Sequence, residues 1–415
     1  MAIVLSDVSN ALQKVIMPFI QDNFPKQTIL LDKVKRNKGV TFMNDNFYAP
    51  LRTGRHGGIV ALADDDNKLV TGKSSIGQAS VPVRILTGTF DISKLAIDAT
   101  KTAKGAVENQ LTFQASSLAS DFARSVNRQY YGDGSGIVAQ VASSASATAV
   151  NIKLPDTSID DGHALDRYGT VNGDLSPSKY LAANMFVGVG TAGAAKGTIS
   201  SISSGTVVNF TGSVASVAND SIGIVDGSLG GFGTSEIYGL GQALSSSTGT
   251  SLYAGVARST TGWTPQFGST SEALTLSAME DKYLAAKEYA QMGDQYAVFV
   301  NKSLYKKYAD ILTAMRRTVN ETDLLGGWTG LEFAAGAGRV GVFLDYDVPD
   351  GDVLIVNLDS LTVCQVSDLD WMESPNSGAL VRTTDYITYQ ATMVWFTNLL
   401  CLCPAANGRL TQKTD

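Results

Sequence analysis

The sequence predicts an α+β protein whose strand-rich and helix-rich stretches are segregated along the chain. Three observations carry this. One helical pattern runs unbroken from Thr100 to Tyr131. A Ser-, Ala-, Gly-, Val- and Thr-rich stretch from about Val141 to Asp226 breaks into short alternating runs. The remainder mixes helices with strands rich in β-branched residues.

The N-terminal stretch reads as a short helix, with Val4, Val8, Leu12, Val15, Ile16 and Phe19 at three- and four-residue spacings and Pro18 marking a kink or end. It carries Asp7, Gln13 and Lys14 inside its apolar stretch, so it does not read as a signal peptide. The densest basic cluster follows between Ile29 and Tyr48, with Lys33, Lys35, Arg36 and Lys38. From Leu51 to Ile97 the pattern becomes a long two-stranded excursion. Ile59-Val60-Ala61-Leu62 leads into the acidic turn Asp64-Asp65-Asp66-Asn67, and the chain returns through Val81-Pro82-Val83-Arg84-Ile85-Leu86. A lone hairpin is marginal in water, so this one must be held by another part of the chain or by another subunit.

Ala103, Val107, Leu111, Ala115, Leu118, Phe122, Val126 and Tyr130 place one apolar stripe on the Thr100–Tyr131 helix. About 30 residues at 1.5 Å each give a brace of roughly 45 Å, stopped by Gly132-Asp133-Gly134-Ser135-Gly136. The following module shows strands at Met185–Val189, Thr198–Ile202, Thr206–Phe210 and Ser221–Val225, the pattern of a small β-barrel or sandwich inserted into a host fold. No Lys or Arg occurs between Lys196 and Arg258, which leaves this module without a basic surface for nucleic acid. Beyond it come a helix at Ser277–Met292, a strand at Ala297–Val300, a helix at Lys302–Arg317, strands at Val340–Leu344 and Val353–Val356, and a long apolar strand region from Tyr386 to Leu402.

At 415 residues and 43.7 kDa the chain can hold two to four domains with real cores. A net charge of −7 excludes a protein that grips nucleic acid through its overall field. Cys364, Cys401 and Cys403 are too few and too late for a disulfide framework and read as buried thiols. No apolar run approaches the 18 residues needed to span a membrane. A reducing cytoplasm is the expected setting.

Candidate chemistry is thin. His56 and His163 each sit in loop composition, away from any metal-binding pair. Gly188-Val189-Gly190-Thr191-Ala192-Gly193 matches the dinucleotide fingerprint by letter. That motif works only where its glycines open a helix, and the next stretch, Gly197–Ser204, reads as strand, so a hairpin turn is expected. Gly72-Lys73-Ser74 mimics the end of a phosphate loop, but Asn67 stands where its first glycine should be. Asp345, Asp347, Asp350 and Asp352 surround a turn, where solvated carboxylates are expected rather than an acid/base pair. Trp263, Trp328, Trp371 and Trp395 read as core or interface anchors. No catalytic residue, cofactor or metal site is expected.

The order of segments resembles the major capsid proteins of tailed bacteriophages, with the Hong Kong 97-type fold. The more specific pieces are Phe122–Gly134 at the helix end, Cys401-Leu402-Cys403-Pro404-Ala405-Ala406-Asn407-Gly408 near the C-terminus, and Glu236-Ile237-Tyr238-Gly239-Leu240 followed by Trp263. The resemblance implies an N-terminal arm (1–50), an extended loop (51–95), a peripheral domain with a spine helix (96–140), an inserted β domain (141–230), an axial domain (231–365), peripheral strands and loop (366–398), and a C-terminal return to the axial domain (399–415). It implies a non-enzymatic shell subunit, forming hexamers and pentamers of a phage head around double-stranded DNA and assembled in the host cytoplasm. A separate scaffolding protein and a portal are expected partners, with a decoration protein as a further one, and contact with packaged DNA is expected to be weak and non-specific. The chain runs almost directly from Met1 into the arm, which is why the scaffold is expected to be separate. Inter-subunit candidates are Lys33, Lys35 and Arg36 of the arm, Arg52, Arg55, Asp64, Asp65, Asp66, Lys68 and Lys73 of the loop, and Trp371. Some family members cross-link a loop lysine to a neighbour's asparagine. Lys68, Lys73 and Asn376 would be the positions here, although non-covalent locking is expected. The alternatives are a tail-tube or decoration protein, against which the long helix argues, and a nucleotide enzyme using the Gly188 turn.

Overall fold

The computed structural model describes residues 30, 33–36, 40–61, 71–94, 104–143, 145–154, 172–174, 176–190, 195–224, 236–245, 252–314, 322–324, 328–335, 338–373, 380–382 and 387–415. The expected N-terminal helix, Lys38, the acidic turn at Asp64–Asp66, Lys68, His163 and Asn376 lie outside them. The described chain divides into two compact units. One draws on Met1–Val34, Val83–Arg128 and Gln365–Asn398, the other on Lys35–Pro82, Gln129–Cys364 and Leu399–Asp415.

In the first unit the long helix, Lys104–Tyr130, lies on a sheet. Strand Arg84–Ser93 runs antiparallel to strand Thr388–Cys401, in register from Arg84 opposite Thr397 to Ser93 opposite Thr388. Asp370–Trp371 and Leu380–Arg382 pair with the same long strand. Period-2 alternation sorts the sheet faces. Ala391, Met393 and Trp395 are buried on the face that carries Leu86, Gly88 and Phe90, whereas Ile85, Thr87, Thr89 and Asp91 are exposed on the other. The helix buries Ala115, Ala119, Phe122, Ala123 and Val126, a stripe whose alanines allow close approach. A Cβ on Gly88 would sit 3.0 Å from Leu118 Cδ1, which shows how tightly helix and strand meet. The sequence pattern places Arg84–Leu86 in the returning arm of the excursion. The structure instead makes it the start of this ten-residue strand, because its partner, Thr388–Thr397, lies far along the chain.

The second unit contains a seven-stranded mixed sheet in the order Gln266–Gly268, Gly408–Leu410, Val353–Asn357, Tyr296–Val300, Gly338–Leu344, Trp328–Ala335, Thr322–Leu324. Helices Leu276–Lys287 and Lys302–Ala314 cover one face. Met279, Tyr283, Ala286, Leu304, Tyr308 and Leu312 pack there with Tyr296, Val298 and Val300 of the central strand. On the opposite face Phe299 stacks on Phe343 and meets Tyr131 edge-on. All five residues of Tyr296–Val300 are therefore buried, which explains its unbroken apolar run. Thr275 caps the first of these helices, its hydroxyl accepting from the Ala278 N–H at 3.2 Å.

Set into this unit is a closed six-stranded barrel: Ile137–Val141, Ala145–Lys153, Phe186–Val189, Ala195–Ser204, Val207–Ser216 and Ser221–Ile224. Val138, Val150, Ile152, Val187, Ile199, Val208, Phe210 and Ile222 fill its interior. Its second strand is not legible in the sequence pattern, since Ala145–Lys153 holds mostly Ala, Ser, Thr and Asn and shows little apolar contrast. Closure removes the sheet edges that an inserted β domain would otherwise expose.

Candidate assembly surface

The extended hairpin is built from Asn46–Arg52 and Ile76–Pro82, paired antiparallel from Asn46 opposite Pro82 to Arg52 opposite Ile76, with Thr41–Met43 as a third strand. It starts before the expected Leu51. Ile59–Ala61, expected as strand, is not strand, because the pairing ends at Arg52 and Ile76. Phe47, Ala49, Ala79 and Val81 bury one face of its base, and the Ser80 N–H donates to the Ala254 carbonyl at 2.8 Å. The base is thus held by its own chain. Past the base, Ile59 is 87% and Ile76 81% exposed, and Arg52, Arg55 and Lys73 all stand in solvent.

The other interface candidates divide. Lys35 and Arg36 form a two-residue strand parallel to Thr362–Val363, and the Lys35 ammonium lies 2.7 Å from the Asp359 carboxylate, so Lys35 is already engaged inside its own chain. Lys33 is half-buried. Trp371 is engaged within its own chain, where it is 5% exposed and packs edge-on against Phe90 at 5.9 Å.

The Asp345–Asp352 turn is a correction, since its carboxylates are engaged and mostly buried rather than solvated. Asp345 accepts the Tyr131 hydroxyl at 3.0 Å. Asp347 accepts the Tyr180 hydroxyl at 3.0 Å and pairs with Lys179 at 3.1 Å. Asp350 accepts the backbone N–H groups of Asn172 at 2.9 Å and Asp174 at 3.3 Å. Burial raises its pKa against the opposing pull of those N–H groups. Asp352 holds Arg409 through two 2.8 Å contacts. Asp174 in turn caps helix Lys302–Ala314, accepting from the Ser303 N–H and hydroxyl at 2.8 Å each. These bonds fix residues 172–174 and 176–180, between two barrel strands, to the host sheet. Polar residues in a Gly- and Pro-punctuated turn give no sign of this in sequence.

The Gly188 motif is a barrel hairpin: Phe186–Val189 pairs antiparallel with Ala195–Ser204, and Gly190 takes φ 94° at the turn. His56 is exposed, and its Nδ1 accepts from the Gly58 N–H at 3.2 Å. Among the described residues no His, Cys, Asp and Glu cluster is arranged to hold a metal, and no helix is long and apolar enough to cross a membrane.

The three cysteines are thiols outside any disulfide, and burial pushes those of Cys364 and Cys401 up to about 12. At pH 8 only about one such thiol in ten thousand is ionised. A disulfide-exchange reagent at pH 8 is therefore expected to modify Cys364 and Cys401 only after denaturation. Rapid native-state labelling of either, located by mass spectrometry, would contradict their placement.

No family model matches the chain, and no curated protein matches it in sequence. Solved structures do. The capsid chain of Cyanophage A-1(L) superposes with a TM-score of 0.52 at 12% identity, covering 94% of this chain and 93% of that one. The capsid of a native GTA particle gives 0.45 at 11% identity, covering 94% and 91%. The capsid of Myoviridae phage XM1 gives 0.42 at 10% identity, covering 93% and 91%. At 12% identity the likeness speaks to backbone architecture, and across nearly its whole length this chain has the fold of a phage capsid protein.

Proposed function

We propose that this chain is a major capsid protein, a non-enzymatic subunit that builds a closed shell from hexamers and pentamers. The observation that carries the reading is the extended hairpin, whose aliphatic and basic side chains stand in solvent on a chain that has a capsid fold. Weak contacts suffice in such a shell because closed symmetry repeats each of them over many copies. In this reading the helix-on-sheet unit is the peripheral domain, the seven-stranded sheet with its two helices is the axial domain, and the barrel is an insertion on it. A separate scaffolding protein, a portal and a decoration protein are the proposed partners. The virion head, assembled in the host cytoplasm, is the proposed location, with packaged DNA contacted weakly.

Negative-stain electron microscopy of the purified chain, expressed alone and with candidate scaffolding proteins, tests this. Closed shells or five- and six-membered rings are expected. Straight tubes of fixed ring number would replace the reading with a tail-tube protein, and a monomer under every condition would remove it.

A further inference from the structure

The chain contains two Asn-Gly pairs, Asn172-Gly173 and Asn407-Gly408. Such pairs are chemically labile, because glycine has no side chain to shield its backbone nitrogen from the neighbouring amide carbon. That nitrogen forms a bond to the asparagine Cγ, the Cγ–Nδ2 bond breaks, and the displaced proton leaves with the amide nitrogen as ammonia. Water then opens the succinimide to aspartate or isoaspartate. The reaction needs nitrogen and Cγ in an attack geometry, so the fold decides how fast each pair reacts. Asn407 is fully buried. Its amide nitrogen donates to Ser360 Oγ at 3.0 Å and to the Cys403 carbonyl at 2.9 Å, and its oxygen accepts from the Asn357 N–H at 2.8 Å. Asn172 is only half-buried, and Gly173 is exposed at φ 72° with open space where a Cβ would stand.

Two parts of the chain hold the exposed pair out of that geometry. The buried Asp350 carboxylate accepts the Asn172 N–H at 2.9 Å and the Asp174 N–H at 3.3 Å, and the Gly173 N–H between them bonds to the same carboxylate. The attacking nitrogen is thereby engaged by Asp350. The Asn172 amide is held by the C-terminal end of the chain. Its Nδ2 donates to the Lys413 carbonyl at 3.1 Å, and its Oδ1 accepts the Asp415 N–H at 3.2 Å. Lys413 is itself fixed, its N–H donating to the Gly351 carbonyl at 2.9 Å and its ammonium to the Glu272 carboxylate at 2.7 Å. We infer that Asn172 is a gated deamidation site, silent while residues 172–174 are docked on Asp350 and the C-terminal strand and reactive once they lift away. The product opposes return. An aspartate at 172 cannot donate to the Lys413 carbonyl, and it sets a third carboxylate beside Asp350 and Asp174. Deamidation therefore records, one way, that this connection between barrel and host sheet has opened. None of this depends on the chain being a shell subunit.

The test is peptide-mapping mass spectrometry of the full chain after incubation at mildly alkaline pH, folded and in urea above its unfolding midpoint. Asn172 is expected to deamidate at least about tenfold more slowly folded than unfolded, because several hydrogen bonds must break together before it can react. Asn407 is the internal control, expected to stay intact in the folded chain. Asp350→Ala releases the Gly173 N–H and is expected to raise the folded-state rate at Asn172 about fivefold or more, with Asn407 unchanged. Should that variant fail to fold by circular dichroism, deletion of the exposed Asp415 releases Asn172 Oδ1 and is expected to act in the same direction. Asn172→Asp stands for the product and should speed hydrogen exchange at the amides of residues 172–174 and 176–180. Deamidation of Asn172 as fast in the folded chain as in urea overturns the gating. So does a rate unchanged from the parent in folded Asp350→Ala or, in its place, in the Asp415 deletion. Parent-like exchange in Asn172→Asp would show that the product redocks, and overturns the one-way record.

Discussion

Replacing Asp352 with Ala is expected to destabilise the subunit by about 3–5 kcal/mol, a large part of the roughly 5–15 kcal/mol available to a folded protein. Asp352 stands immediately before strand Val353–Asn357 and Arg409 lies on its antiparallel neighbour Gly408–Leu410, with side chains 3% and 1% exposed. The carboxylate receives both Nε and an Nη of the guanidinium at 2.8 Å, and the guanidinium lies 5.9 Å from the Phe267 ring centroid. The pair itself adds little net stability, because desolvating two ions offsets most of their attraction. Removing one partner is the damaging event, since it strands a charge in the sheet. The urea midpoint, followed by far-UV circular dichroism, should fall sharply for Asp352→Ala, with material lost to inclusion bodies. The double variant Asp352→Leu, Arg409→Met should regain most of that loss. A single variant within about 1 kcal/mol of the parent would mean the carboxylate is solvated after all.

A comparable effect is expected from a single methyl group. Gly239 packs directly on the backbone where the long helix ends. An added Cβ would lie 2.3 Å from the Gln129 carbonyl oxygen and 2.5 Å from those of Tyr130 and Gly132. Its own backbone, at φ −90° and ψ −169°, suits alanine, so the whole cost is steric. The obstacles are main-chain atoms, which cannot rotate aside. The neighbouring Ile237 is fully buried and its N–H donates to Gln129 Oε1 at 3.1 Å, so the segment cannot lift away without losing both. Gly239→Ala is expected to cost about 3 kcal/mol, the upper end of overpacking penalties. A urea midpoint indistinguishable from the parent would show that the 236–240 segment can move off the helix end.

Much of this architecture is legible in the residues. The helix from Lys104 to Tyr130 announces itself through an apolar stripe repeated over many turns. The strands Tyr296–Val300 and Val353–Asn357 show as β-branched runs, because burial on both faces forces nearly every position to be apolar. The barrel strands with Val, Ile or Phe at alternate positions stand out in the sequence, and those built from Ala, Ser and Thr do not. Of the assembly surface, the basic residues of the hairpin are legible as charges on a loop.

What the sequence determines by itself is local: periodicity sets helix against strand, Gly-rich stops end the helix, and the Ser-, Ala-, Gly-, Val- and Thr-rich stretch from about Val141 to Asp226 marks a module apart. Tertiary structure decides what depends on partners far along the chain. Arg84–Ser93 becomes a sheet strand because Thr388–Thr397 pairs with it, and Gly408–Leu410 enters the seven-stranded sheet between Gln266–Gly268 and Val353–Asn357. The aspartates around Pro349 become buried anchors because Tyr131, the Asn172–Asp174 backbone and Arg409 converge on them. A carboxylate's role depends on whether donors replace the water it loses, and those donors lie 57 to 214 residues away.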